Sequence, residues 1–340
     1  MDGAGASRVT AAMVAERAGT SVSTVSLVVN GKSRGRVSAA ITERVRAAVD
    51  ELGYVVDHAA SSLARGRTDL VVLLAPDLPN PYFGRVTTGI RDGLGDRHQL
   101  MQSVIAGGEQ PTAEDVRRIA AFRPAGLLVH APAPSFLDEL DPCGPPLVLL
   151  DAPGFETRAA TVTFDLRPGV RALVGHLAAA GHRTVAYLDG TTPSATFALR
   201  RSLLRETAAE HGVTVLDGGG GDVRAGLTLD AAADTAVTAL PGWLDDGATA
   251  VVAAADTLAY GLLAAAHRLG LDVPGDVAVA GFDDLPYSQV TAPSLTSVAL
   301  PAEELGRAAA HRLTALLAGT DTPGPPPLPT RLAVRASTAP

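Results

Sequence analysis

The chain is 340 residues long, 46% apolar but only 4% aromatic, and carries a net charge of −8. That length allows two or three domains, with cores built from Ala, Val and Leu rather than from rings. No apolar run reaches the length of a membrane span, the N-terminus lacks a basic segment followed by an apolar one, and the single cysteine, Cys143, can form neither an internal disulfide nor a CxxC pair, so a soluble cytoplasmic protein without a signal peptide is expected.

The charge is unevenly spread. Residues 1–68 hold nine Lys or Arg against six acids, which leaves that segment at +3 and the remainder at −11. A small basic head on an acidic body suits a head that meets a polyanion. The head reads as three short helices. Thr10 caps a first helix over about residues 11–18, which stops at Gly19. Ser21 caps a second over about 22–30, with Gly31 after it. Ser38 caps a third, in which Ile41, Val45, Ala48 and Leu52 recur at helical spacing before Gly53. Stepping about 100° per residue along the second helix puts Val22, Ser23, Ser26, Leu27 and Asn30 on one arc, and Thr24, Val25, Val28 and Val29 on the other. Two helices joined by a tight turn match the helix-turn-helix plan, whose second helix enters the major groove, although a plain three-helix bundle carries the same pattern. Residues 57–68, DHAASSLARGRT, can make about two helical turns or serve as a flexible linker.

From Asp69 onward, short apolar runs alternate with helical stretches: DLVVLLAPD, HQLMQSVIA, AGLLVHAP, PPLVLLDAP, ATVTFD, RTVAYLDG, VTVLDGG, ATAVVAAAD and DVAVAGFDD. This is repeated βα architecture with parallel sheets buried on both faces. Pro/Gly-rich segments near 141–158 divide it into two similar halves, and PGPPPLPTRLAVRAST is a Pro-rich crossover followed by a last strand. In open parallel sheets ligands bind outside the carboxyl ends of the strands. Those ends carry Asp77, His130, Asp151, Asp189, Asp217, Asp256 and Asp283. Several ionised carboxylates at one edge suit a hydroxyl-rich ligand, while any single one can instead cap the next helix. No phosphate loop, GxSxG elbow, HExxH or paired-cysteine motif is present, DGGGGDVRAG does not satisfy GxGxxG, and the eight histidines are scattered, so neither an enzyme nor a cofactor or metal is expected.

Taken in order, VTAAMVAERAGTSVSTVSLVVNG, RVSAAITERVRAAVDELGY, HAASSLARGRTDLVVLLAPDLPNPYF, HLAAAGHRTVAYLDG and LGLDVPGDVAVAGFDDLPYSQVTAPSLTSVALPAEELG resemble the LacI/GalR family of bacterial transcription regulators over almost the whole chain. The resemblance implies an all-α helix-turn-helix head (1–56), a hinge (57–68) and an α/β two-lobed, periplasmic-binding-protein-like core (69–340). Lobe 1 would span about 69–163 and 299–322, and lobe 2 about 164–298 and 323–340. It also implies a homodimer on a near-palindromic operator, most often as a repressor, controlled by a sugar or nucleoside-type metabolite between the lobes. The chain ends at Pro340 without heptads, so a dimer is expected rather than a tetramer.

On the DNA side the resemblance points to Thr10, Val22, Ser23, Thr24, Ser26, Leu27, Asn30, Arg36, Ser38 and Tyr54, with Leu63 matching the hinge residue that wedges into a base step. Leu27 departs from an Arg carried by many members, and Val56 and Asp57 depart from the usual Pro and Asn. On the effector side it points to Tyr82, Phe83, His130, Asp151, Arg200, Asp256 and Asp283. Leu166, Val223 and Ala255 depart from the pattern there, and Arg200 lies in RRSLLRE, where a solvent-facing role is the plain alternative. The competing classes are a sugar- or nucleoside-binding protein, or an α/β enzyme, without DNA function.

Overall fold

The computed structural model describes residues 9–29, 31–54, 68–75, 80–105, 109–140, 144–216, 223–320 and 323–339. The expectations attached to Asn30, the hinge with Val56, Asp57 and Leu63, and to Asp77, Cys143 and Asp217 lie outside those residues. The chain separates into two units, residues 1–68 and 69–340.

In the first unit the local signals act where expected. Thr10 is extended and its hydroxyl accepts from Met13 N at the start of α1 (Ala11–Ala18), which Gly19 ends at φ 62°. Ser21 Oγ accepts from Thr24 N at 3.2 Å as α2 (Val22–Val29) begins. Ser38 caps α3 (Ala39–Leu52), and Gly53 ends it at φ 63°. Both terminal glycines hold left-handed backbone that a Cβ would strain. The small core is Val14, Ala15 and Ala18 from α1, Val25 and Val28 from α2, and Val45 and Ala48 from α3. It contains no ring, so three helices must approach closely to fill it.

The second unit holds two parallel sheets. The first is built by β1 (Leu70–Ala75), β2 (Gln99–Val104), β3 (Gly126–His130), β4 (Leu147–Leu150) and β5 (Thr161–Val162), in the order β2-β1-β3-β4-β5, with α4 (Pro81–Leu94) and α5 (Ala113–Ala120) as crossovers. After β6 (Phe164–Asp165) and α6 (Arg167–Ala179), the second sheet gathers β7 (Thr184–Gly190), β8 (Thr214–Val215) and β9 (Arg224–Ala225), then β10 (Ala250–Ala253), β11 (Ala278–Asp283) and β12 (Thr296–Ala299). Its crossovers are α7 (Ala195–Glu210), α8 (Leu229–Asp245) and α9 (Asp256–Leu269). The chain then returns to the first sheet through α10 (Ala302–Leu317), which packs on α4, β3 and β4. It crosses back through β13 (Leu328–Pro329), which pairs with β6, and ends the second sheet with β14 (Arg331–Ala333), antiparallel to β12.

The apolar runs mark nearly all of these strands, but they pass over β12. Its Thr296 and Ser297 look like turn residues, yet both are fully buried. The Thr296 hydroxyl donates to Arg335 O at 3.1 Å and that of Ser297 to Asp256 at 2.7 Å, so hydrogen bonds offset the desolvation of two hydroxyls buried in the second sheet.

The contact between α4 and α10 rests on missing side chains. An ideal Cβ at Gly89 would lie 1.9 Å from Glu303 O, and one at Gly306 would lie 2.1 Å from Val86 O. Gly84, on the exposed side of α4, has nothing within 4 Å. Gly89→Ala and Gly306→Ala should therefore each destabilise the protein by about 1–3 kcal/mol in urea unfolding, as the helices are forced apart. Gly84→Ala should be neutral or stabilising by up to about 1 kcal/mol, since it only restores helix propensity. Equal effects from all three would show that helix propensity, not close approach, governs α4.

Candidate functional site

The carboxyl ends of both sheets of the second unit open on one cleft. The first sheet and its loops contribute Asn80, Tyr82, Phe83, Gln110, His130, Ala131 and Asp151 to its walls. The second contributes Thr192, Ser194, Thr196, Phe197, Arg200, Leu227, Ala255 and Asp283.

Asn80 caps α4, its Oδ1 accepting from Tyr82 N at 3.0 Å, and Pro81 follows in the first turn. This entry turns Tyr82 and Phe83 into the cleft beside His130. The three rings meet edge to face with centroids 5.0–5.4 Å apart. His130 Nε2 lies 3.3 Å from the Tyr82 hydroxyl. Burial, and then the charge of Arg200, pull the His130 pKa down to about 3, so the ring is neutral near pH 7. Its buried Nδ1 has no hydrogen-bond partner among the described residues.

Three wall residues that end strands sit in left-handed backbone: Ala131 at φ 42°, Asp151 at φ 47° and Asp283 at φ 108°. None is glycine, so each stores strain that the surrounding packing must hold. Asp283 accepts from Arg200 Nη1 at 3.1 Å, and the same Nη1 donates to Ala254 O at 2.6 Å. The guanidinium also stands 5.5 Å from the Phe197 ring centre and 5.2 Å from that of Phe282. Burial opposes the Arg200 charge, yet Asp283 and Asp151 hold its pKa above the ordinary value. Burial likewise pushes the Asp283 carboxyl up, while Arg200 pulls it back.

Asp151 differs from Asp283. Only 5% exposed, it has no Lys or Arg at ion-pair distance among the described residues. Its main-chain oxygen accepts from the Thr196 hydroxyl at 3.0 Å, which ties the two halves together at the cleft. Burial pushes its carboxyl up to about 6, opposed by Arg200 and reinforced by Asp283. The Thr196 hydroxyl also lowers it, and a ligand hydroxyl could add a further hydrogen bond to this acid.

The cleft thus brings together Tyr82, Phe83, His130, Asp151, Arg200 and Asp283, and Arg200 faces inward rather than toward solvent. Asp256 is a correction. It is not on the wall, because its carboxylate accepts from Leu285 N at 2.9 Å, Ser288 Oγ at 2.6 Å and Ser297 Oγ at 2.7 Å. Fully buried, it anchors the turn after β11 instead of contacting a ligand. Asp189 also belongs to the structure of the second sheet, paired with Arg201 at 2.7 Å. Phe197 and Thr196 were not anticipated. They lie three and four residues before Arg200 on α7, so helical spacing could have found them. Gln110, which donates to Ala131 O at 3.1 Å, gave no comparable signal.

In the first unit, α2 buries Val25 and Val28 and exposes Ser23, Ser26 and Val22, the last at 49%, with Leu27 half-buried at the edge. Thr24 turns partly inward, its hydroxyl 2.9 Å from that of Ser21. Thr10 and Ser38 spend their side chains on caps, Tyr54 packs half-buried on the core, and Arg36 is exposed before α3. Arg17 pairs with Glu51 at 2.6 Å across α1 and α3.

Two family descriptions match the chain: "Bacterial regulatory proteins, lacI family" over residues 10–57, and "Periplasmic binding protein-like domain" over residues 174–338. The HTH-type transcriptional regulator reg1 of Streptomyces lividans is 32% identical, over 91% of this chain and 90% of its own length. A crystal structure of the lac repressor dimer bound to operator and the anti-inducer ONPF superposes with a TM-score of 0.82 at 27% identity, covering 97% of this chain and 99% of that one. The complex of the transcriptional regulator CelR with cellobiose superposes with a TM-score of 0.69 at 28% identity, covering 97% of this chain and all of that one (100%).

The raised Asp151 pKa sets a pH dependence. The folded protein holds this proton until about pH 6, whereas an unfolded aspartate releases it near 3.8. Between those values the native state binds more protons, so this residue's contribution falls as pH rises and the penalty is complete above about pH 7. Asp151→Asn should match wild type near pH 4 and exceed it by about 2–3 kcal/mol at pH 7.5 in urea unfolding. A difference independent of pH would mean that the carboxyl is not held protonated by its site.

Proposed function

The chain belongs to the lacI family of bacterial regulatory proteins and is a DNA-binding transcriptional regulator; from that premise we propose that it is a cytoplasmic homodimeric repressor, released from its operator when a neutral sugar enters the cleft of the second unit. In this reading residues 1–56 are the DNA-binding head, 57–68 a hinge, and 69–340 a two-lobed effector core. Val22, Ser23, Ser26 and Leu27 meet the major groove, while Tyr82, Phe83, His130, Asp151, Arg200 and Asp283 meet the effector.

One observation carries the effector class: Asp151, buried and without an ion partner, stands in the same cleft as an Arg200 already neutralised by Asp283. With one cation against two acids, a phosphorylated or carboxylated effector would meet repulsion, whereas a sugar offers hydroxyl donors. The apolar faces of Phe83, Phe197 and Leu227 suit the C–H face of a pyranose ring. The CelR–cellobiose complex supports the same class.

A panel of neutral mono- and disaccharides, sugar acids, sugar phosphates and nucleosides, read by thermal shift, tests the class. A cognate neutral sugar at 100 times its Kd should stabilise the protein by about 2.7 kcal/mol and weaken operator binding in fluorescence anisotropy. Asp151→Ala should weaken that sugar roughly 10- to 100-fold by calorimetry while leaving sugar-free DNA affinity intact. A response confined to sugar acids or phosphates would overturn the neutral class.

A further inference from the structure

The exposed face of α2 carries no charge. Between Val22 and Val29 the helix reads VSTVSLVV, with no Arg, Lys, Asn, Gln, Asp or Glu. The strong base-edge pairings need those side chains: Arg or Lys to guanine, Asn or Gln to adenine, and Asp or Glu to cytosine. What α2 offers instead is apolar. Val22 is 49% exposed, one of the large apolar side chains left in solvent, and Leu27 is partly exposed at the other edge of the same arc. Between them lie the hydroxyls of Ser23 and Ser26. The cations of this unit lie elsewhere. Lys32, Arg34 and Arg36 are exposed in the turn after α2, and Arg44 and Arg46 are exposed on α3.

An apolar group in the major groove has one apolar feature to meet, the C5-methyl of thymine. We propose that Val22 and Leu27 read the operator by enclosing C5-methyl groups, so that sequence preference at the base pairs facing α2 follows the methyl rather than the hydrogen-bonding edge. This rests on the operator-binding reading. It assigns affinity to the basic turn and α3, through phosphate contacts that depend on salt, and discrimination to α2, through contacts that do not.

The test uses the full-length protein. Selection from random duplex DNA yields the preferred site. Thymines in each half-site are then replaced one position at a time by deoxyuridine, which removes the methyl and keeps base pairing. Losing one enclosed methyl should weaken binding about three- to fivefold, and losing the symmetric pair about tenfold or more, with an unchanged salt slope. Exchanging that T·A pair for 5-methylcytosine·G should restore binding relative to unmethylated C·G. Val22→Ala and Leu27→Ala should each abolish sensitivity to deoxyuridine at one position. A side chain that merely supports the helix would lower affinity and leave that sensitivity in place. Selection of a defined site that binds equally with thymine or deoxyuridine at every position overturns the methyl reading alone. Failure to enrich any sequence overturns it together with operator recognition.

Discussion

The second unit of the protein is organised around a buried ion pair. Arg200 and Asp283 are 4% and 6% exposed at their side chains, and the desolvation of two charges is repaid only by good geometry. The geometry is supplied from three elements: α7 carries the arginine, β11 ends in the aspartate, and Ala254, just past β10, accepts a second bond from the same nitrogen. Removing either partner would strand the other charge, at roughly 3–5 kcal/mol. Such a pair is weak evidence for stability but strong evidence for positional constraint. It fixes where the second sheet presents its polar edge.

That edge is held from behind by Asp256. Its carboxylate gathers Leu285 N, Ser288 and Ser297, and Ser297 in turn accepts from Asp284 N at 3.0 Å. The Asp284 carboxylate pairs with Arg335 at 2.6 Å, beyond β14, and its carbonyl accepts from Arg85 on α4 at 3.2 Å. Three consecutive residues, Asp283 to Leu285, therefore join the cleft, the end of the second sheet and a helix of the first. The Arg85 bond and the Thr196–Asp151 bond both run between the halves. In the proposed reading, a ligand touching Asp151 and Asp283 acts on residues that carry or adjoin those bonds, which links its binding to how the halves stand. Linkage of this kind needs only a difference in affinity between two arrangements.

Much of this was legible from local chemistry. Caps at Thr10, Ser21 and Ser38 and stops at Gly19 and Gly53 act over a few residues, so the chain spells them out. The strands β1, β3, β4, β10 and β11 are continuous apolar runs because they are buried on both faces. Long-range satisfaction was not legible. Thr296 and Ser297 hide a central strand because their partners, Arg335 and Asp256, lie about 40 residues away in sequence. For the same reason Asp256 read as a wall residue: a strand-end aspartate looks alike whether it faces a cleft or three internal donors. Arg200 could not be told from Arg201 and Arg205 until α7 had a buried face.

The two units place their charge by opposite rules. In the cleft, Arg200 is paired with Asp283 and Asp151 has no ion partner among the described residues, so in the proposed reading selectivity comes from hydrogen-bond donors on the ligand. Among the described residues of the first unit the cations are exposed and absent from α2, which in the proposed reading gives attraction to a polyanion and discrimination among bases to different residues. The remainder of the chain, at −11, adds a third element. Its net negative charge opposes nucleic acid and is screened on the scale of about 8 Å at physiological ionic strength. In the proposed reading, such a regulator changes its sugar by altering the cleft, or its operator by altering α2, without disturbing the electrostatics that bring it to DNA.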